Sequence, residues 1–210
     1  FNDQLIADDS GVVIMGRSGN DTITGGSGDD ELWGEGGWGH PDTGTGDDWI
    51  SGGAGNDFLA GGQGNDTLEG GEGDDSFLLE GNYGNDLIDG GSGRDGVRVA
   101  AWSAIVVDLG TGSLSGGGDG GSGTASLGGI QDFSTYSQVG GAEFDNRITG
   151  SAAANLLESE GGNDTIDGRG GNDTLIGGAG ADQYLFTVVP GAANADTVVG
   201  FVSSSDKIVL

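Results

Sequence analysis

Residues 52 to 78 are three nine-residue units placed end to end: GGAGNDFLA, GGQGNDTLE and GGEGDDSFL. Each reads Gly-Gly-x-Gly-x-Asp-x-U-x, where U is large and apolar. The U residues are Leu59, Leu68 and Phe77, and the sixth-position carboxylates are Asp57, Asp66 and Asp75. A strict short period restricts a chain to repeat architectures, in which each unit buries its apolar face only by stacking on neighbours. Counted backward, units begin at Thr43, Gly34, Gly25, Gly16 and Ala7 without slipping. Before Ala7, Asp3 falls on the sixth position and Leu5 on the eighth. The chain thus opens inside a repeat and is expected to be a piece of a longer protein.

The period decides how the unusual composition is read. Fifty of 210 residues are Gly. Without a G-X-Y pattern this excludes collagen, and the fixed period overrides the disorder that such composition otherwise signals. The net charge is −28, with six basic residues. Nucleic acid is therefore an unfavourable partner, because neutralising phosphates needs clustered Lys and Arg. An anionic membrane surface is disfavoured on the same ground. There is no Cys, so neither a disulfide nor a thiolate metal site is available. No 18-residue apolar run is present to span a bilayer, and no N-terminal signal peptide is visible.

Departures from the motif divide the chain. Unit 7–15 has Val12 at the sixth position but keeps Ile14 as U. Unit 34–42 has Gly39 and Pro41 at positions six and eight, so its strand is interrupted or bulged. Unit 43–51 recovers with Asp48 and Ile50. Two extra residues, Leu79 and Glu80, then shift the register to units 81–89 (Asp86, Ile88) and 90–98 (Asp95, Val97). Residues 99–140 have another texture and are expected to form a β insert packed on the first block. A second array starts at 141, 150, 159, 168 and 177. Its sixth positions are Asn146, Asn155, Asp164, Asp173 and Asp182, and its U residues are Ile148, Leu157, Ile166, Leu175 and Tyr184. The expected domains are 1–98, 99–140, 141–185 and a closing segment, 186–210.

One unit divides into a six-residue turn, GGxGxD, and a three-residue strand, xUx. Two units make a coil of 18 residues, and coils stack at roughly 4.8 Å. Stacked turns offer Asp carboxylates and Gly carbonyls, with no nitrogen or sulfur. That is a hard-cation donor set, and its flexibility suits Ca²⁺ better than Mg²⁺. The expected ligands are Asp21, Asp30, Asp48, Asp57, Asp66, Asp75, Asp86, Asp95, Asp164, Asp173 and Asp182. Carbonyls of Gly25, Gly28, Gly52, Gly53, Gly55, Gly61, Gly62, Gly64, Gly70, Gly73, Gly168, Gly171 and Gly177 are expected to join them. Unbroken register stacks Asp30 on Asp48, Asp48 on Asp66, and Asp66 near Asp86. On the other side it stacks Asp57 on Asp75 and Asp75 near Asp95. Asp3 pairs with Asp21, Asp164 with Asp182, and Asn155 with Asp173. One U side chain per unit buries too little to order nine residues, and stacked carboxylates repel. The chain is therefore expected to be disordered without calcium and folded with it.

The motif is an already described calcium-binding signature, and the chain resembles the RTX (repeats-in-toxin) β-roll family over roughly residues 1–98 and 141–185. The resemblance implies an all-β, right-handed parallel β-roll that binds several Ca²⁺ ions. It also implies a secreted bacterial protein exported by a type I secretion system through an uncleaved C-terminal signal. The closing stretch is similar to the last β segment of serralysin-type RTX proteases, but no catalytic residues are expected here. Two other roles fit similar repeats. One is a polysaccharide-binding module, as in alginate-modifying epimerases, for which Arg17, Arg94, Arg98, Arg147 and Arg169 are the available cations. The other is a self-associating unit of an adhesin, surface layer or filament.

Other motifs dissolve into the repeat. The Asp pairs 29/30, 47/48 and 74/75 resemble glycosidase acids but occupy unit positions five and six. Gly34-x-Gly36-x-x-Gly39 matches a dinucleotide fingerprint only by letter. His40 has no nucleophile or acid beside it in sequence. Asn-Asp-Thr at 20, 65, 163 and 172 matches a glycosylation acceptor, yet the unit itself generates it. Trp33 and Trp49 are expected outward on one sheet, with Phe58 and Leu78 outward on the other; either the 99–140 insert covers the tryptophans, the favoured reading, or these aromatics bind sugar rings or a partner chain.

Overall fold

A computed structural model describes residues 1–8, 11–36, 44–118, 122–137, 144–188 and 194–210, the side chains of 136 and 137 excepted. Gly39, His40 and Pro41 lie outside the described residues. In chain order the first strands are β1 (Gln4–Ile6), β2 (Val13–Met15), β3 (Thr22–Gly26), β4 (Glu31–Trp33) and β5 (Trp49–Ala54). They continue with β6 (Phe58–Ala60), β7 (Thr67–Glu72), β8 (Ser76–Glu80), β9 (Asn85–Ser92) and β10 (Asp95–Ala101). The middle of the chain adds β11 (Ile105–Asp108), β12 (Ser113–Gly116), β13 (Thr124–Gly128) and β14 (Ile130–Ser137). The rest are β15 (Arg147–Thr149), β16 (Leu156–Glu158), β17 (Thr165–Asp167), β18 (Thr174–Ile176), β19 (Gln183–Leu185), β20 (Thr197–Val199) and β21 (Lys207–Val209). No helix among the described residues is long and apolar enough to cross a membrane.

The strands form two sheets. One runs β1-β3-β5-β7-β9-β13-β12-β11-β15-β17-β19-β21, and the other β2-β4-β6-β8-β10-β14-β16-β18-β20. Outside the middle segment successive units alternate between the sheets, and like-numbered neighbours pair in parallel. This is a parallel β-roll. In each xUx strand only the central side chain faces the partner sheet. Ile23, Leu32, Ile50, Leu59, Leu68, Ile88, Ile148, Leu157, Ile166 and Leu175 are fully buried there, with Phe77 and Tyr184 almost so. They join in one continuous apolar seam. Its driving force is burial, of about 1.5–3 kcal/mol per large apolar side chain.

The register differs from the unbroken count at one place. Thr22 pairs with Trp49 and Glu31 with Phe58, an offset of 27 instead of 18. No strand lies between Trp33 and Trp49 among the described residues. Gly34 and Glu35 take turn positions one and two, and Thr45 to Asp48 take positions three to six, so the chain between Glu35 and Thr45 is nine residues longer than an unsplit turn needs. The sheet of every earlier unit is thereby exchanged relative to the simple count. Asp30 stacks on Asp57, not on Asp48, and Asp21 stacks on Asp48. Trp33 and Trp49 correspondingly lie in different sheets. Trp33 is buried in a small outer cluster with Ala60 and Leu78, edged by Met15 and Phe58, and its ring centroid is 5.1 Å from that of Phe58. The two-residue shift at Leu79 and Glu80 appears as expected: Thr67 pairs with Leu87 and Ser76 with Gly96, both offset by 20.

The middle segment is woven into both sheets, where a covering layer on the roll had been expected. β11, β12 and β13 form an antiparallel meander whose outer strands pair in parallel with β15 and β9. β14 bridges β10 and β16 in the other sheet. Two arginines tie it to its neighbours. Arg94 grips both oxygens of Asp132, each at 2.7 Å, and Arg169 grips those of Asp108 at 2.9 and 2.7 Å. Residues 194–210 add the last rung, β20 on β18 and β21 on β19.

Candidate metal centre

The sixth-position side chain turns back under its own turn. One oxygen, Oδ1, accepts the backbone N–H of the sixth residue in the preceding coil of the same column. The first column runs Asp3 to Asp21 at 2.7 Å, Asp21 to Asp48 at 2.7 Å, Asp48 to Asp66 at 2.9 Å and Asp66 to Asp86 at 2.9 Å. The second runs Val12 to Asp30, Asp30 to Asp57 and Asp57 to Asp75 at 2.8 Å, then Asp75 to Asp95 at 2.9 Å. The expected pairs Asp164–Asp182 and Asn155–Asp173 recur in the later units. Asp196 and Asp206 extend the ladder, accepting from Asp173 and Asp182. Their strands keep Asp-x-U-x after the glycines have gone, a signal that the glycine-based count passes over.

The second oxygen is the informative one. Oδ2 of Asp21, Asp30, Asp48, Asp57, Asp66, Asp75, Asp95, Asp173 and Asp182 is buried without a hydrogen-bond partner. A buried polar atom left unmatched is costly, and a buried charge more so. Each of these oxygens points over the first-position glycine of its unit. A Cβ added at Gly25, Gly34, Gly52 or Gly70 would overlap Oδ2 of Asp30, Asp48, Asp57 or Asp75. It would also meet the first-position carbonyl of the next coil, from Gly52, Gly61, Gly70 or Gly90 respectively. Gly61, Gly168 and Gly177 stand in the same relation to Asp66, Asp173 and Asp182. The missing side chain thus leaves an oxygen-lined cradle. The fourth-position glycines serve the turn itself: Gly55 and Gly64 have φ of +128° and +155°, where L side chains are strained. Gly53, Gly62, Gly73 and Gly171 also have positive φ, and the carbonyl of Gly28 faces Gly55.

The cradle suits a hard divalent cation. Its donors are one carboxylate oxygen and glycine carbonyls, and among the described residues no three His, Cys, Asp or Glu side chains converge on a metal position. Burial raises the affinity of these carboxylates for a proton, which marks the same need for positive charge. Asp48, Asp75, Asp164 and Asp173 are pushed up to about 6, Asp66 to about 7 and Asp86 to about 8, burial being the largest cause in each.

Not every predicted position is equivalent. Unit 159–167 carries Ser159 at position one, and its hydroxyl donates to Asp164 Oδ2 at 2.7 Å and lies 3.0 Å from the Gly177 carbonyl. Ser159 therefore fills the cradle from within. Asn155 is likewise occupied, with Oδ1 accepting from Ser151 and Nδ2 donating to the Gln131 carbonyl. Fifth-position residues, expected to be solvated neighbours of the ligands, form a ladder of opposite sense on the rim. Asn56, Asn65 and Arg94 donate their backbone N–H to the side chains of Asp29, Asp47 and Asp74 in the coil before.

A groove of about 460 Å³ on the outer face of the nine-stranded sheet collects Phe58, Arg94 and Arg98. Asp74, Asp132 and Glu158 line it too, so it is not a positively charged channel.

The family model for the RTX calcium-binding nonapeptide repeat, in its four-copy form, matches residues 13–37, 42–77, 78–97, 140–175 and 149–184. Among curated proteins none matches the chain.

Proposed function

This chain belongs to the RTX calcium-binding nonapeptide repeat family, a structural and not a catalytic repeat, and from that premise we propose that calcium acts as its folding switch. The reading rests on the nine buried carboxylate oxygens without partners, each over a glycine that leaves room for an ion. In the proposed scheme the expected aspartates other than Asp164, whose cradle Ser159 fills, hold the ions together with first-position glycine carbonyls. Binding free energy then becomes folding free energy. Extracellular modules of this kind work at ~10⁻⁴–10⁻³ M calcium, so the switch responds to leaving the cell. The proposed setting is a secreted protein, exported unfolded by type I machinery and folded outside.

The test is small-angle scattering with and without millimolar calcium. The expected outcome is collapse from a radius of gyration of roughly 49 Å to one near or somewhat above roughly 17 Å, the values for an unfolded and a compact chain of this length. An expanded chain at saturating calcium would sink the proposal, and a compact calcium-free chain would remove the switch. Particles larger than the monomer would favour the assembly role.

A further inference from the structure

The split turn at residues 34–35 and 45–48 carries a group that the repeat does not provide. Position two of a turn is glycine in six units, at 26, 53, 62, 71, 91 and 178, and along Gly26, Gly53, Gly71 and Gly91 each carbonyl faces the second-position glycine of the next coil. A Cβ on Gly53 would meet the Gly26 carbonyl, and one on Gly71 the Gly53 carbonyl. At Gly62 the corresponding atom is Oε2 of Glu35. A carboxylate oxygen therefore stands where other coils present a backbone carbonyl.

Glu35 is 7% exposed, and its two oxygens have different fates. Oε2 accepts the Gln63 backbone N–H at 2.5 Å. Oε1 is buried and has no partner. The carboxylates whose charge acts on Glu35 are those of Asp66 and Asp48, and each also carries a buried, unpartnered Oδ2. Anchoring of the loop through the backbone N–H groups of Gln63 and Gly46 does not give Oε1 a hydrogen bond. It leaves a bare carboxylate oxygen in a buried acidic turn, an arrangement that a cation relieves.

We propose that Glu35 adds an anionic ligand to the turn stacked on Gly61–Asp66 and makes it the tightest cation site of the roll. This rests on the calcium-binding reading above. For hard-cation sites built from oxygen, affinity rises with the number of charged ligands. The geometry is not a three-carboxylate cluster. It is a carbonyl-rich turn in which one carbonyl has been replaced by a carboxylate.

The experiment is calcium binding to the full chain by chelator competition, comparing wild type with Glu35→Gln and Glu35→Gly. Gln keeps the shape without the charge, and Gly gives this position the residue that Gly26, Gly53 and Gly71 have at the same place in neighbouring coils. The expected result is one class of ion in wild type that binds about tenfold or more tightly than the rest, lost in both variants while the remaining isotherm overlays. Terbium gives a positional check, because Trp33 and Trp49 immediately flank the split turn and sensitise an ion bound there. The luminescence phase at lowest terbium should disappear in both variants.

Retention of the tight class in both variants, or its absence from wild type, overturns the inference while leaving the folding reading intact. Absence of any calcium binding in wild type overturns both. If neither variant folds at saturating calcium by circular dichroism, Glu35 is a folding residue and the affinity proposal fails.

Discussion

A single methyl group is the scale at which the cradle can be tested. Gly52 is not in a positive-φ conformation, so alanine there is tolerated by the backbone, but its Cβ would overlap Asp57 Oδ2 and crowd the Gly70 carbonyl. Gly52→Ala should destabilise the calcium-loaded protein by about 1–3 kcal/mol and remove one bound ion, measured by calcium-dependent melting and ion counting. Ala54→Gln, at the variable third position, should do neither. The reverse experiment is Ser159→Gly. Removing the hydroxyl that bridges Asp164 and Gly177 should let that unit bind one more ion than wild type, and unchanged stoichiometry would count against the cradle. Both positions show how much of the site could be read directly. The carboxylate and the first glycine follow from the nonapeptide, because only that spacing brings them together. The plug at Ser159 does not, since a serine in place of glycine reveals a lost motif without showing where its hydroxyl points.

At the level of strands and turns, the 27-residue offset between Thr22 and Trp49 separates what is legible from what is not. Pro41 lying outside the described residues, the other U positions from Ile23 to Tyr184 enter the core as the period predicts, because side-chain alternation in a strand is local. Pairing is not local. Gly39 and Pro41 announce that unit 34–42 is a poor strand, but whether a poor strand stays in the stack or leaves it depends on the coils on either side. The pairing offset grows from 18 to 27 residues here, and the pairing of Asp30 passes from Asp48 to Asp57. Deleting residues 36–44 should therefore restore an 18-residue coil without disturbing β5. Melting of the calcium-loaded deletion should stay within about 1 kcal/mol of wild type, the scale of a modest change in loop length. Loss of calcium-induced folding would mean that the segment supports the stack. The middle strands were legible as β structure from their Val and Ile. Their insertion into both sheets was not, because it depends on distant partners such as Asp108 with Arg169.

For the molecule as a whole, charge dominates. With a net charge of −28, and with burial raising the proton affinity of its carboxylates, the calcium-free roll is opposed by its own ionisation. A carboxylate whose folded value is raised favours the folded state below the ordinary range near 4. It loses that contribution as pH rises through the folded value, here about 6 for Asp48, Asp75, Asp164 and Asp173 and about 7 for Asp66. Acid should thus partly replace calcium. The calcium-free chain should become more compact as pH falls from about 8 to about 5, above the isoelectric point of about 4.1 where precipitation would interfere. Calcium affinity should fall over the same interval as protons compete for the same oxygens. Scattering and circular dichroism across that range provide the check, and a calcium-free chain equally expanded at both ends would contradict it.

The exchanged register between Trp33 and Trp49 bears on how such a molecule changes length over generations. Tandem repeats are prone to gain or lose a unit when DNA is copied. Because successive units alternate between two sheets, strict alternation leaves one strand without a place after an odd change. Here the offset between paired strands grows by one unit, from 18 to 27 residues, while the coils on both sides keep their pairing and their seam of apolar side chains. A roll whose register absorbs a single extra unit does not need its copying errors to come in pairs.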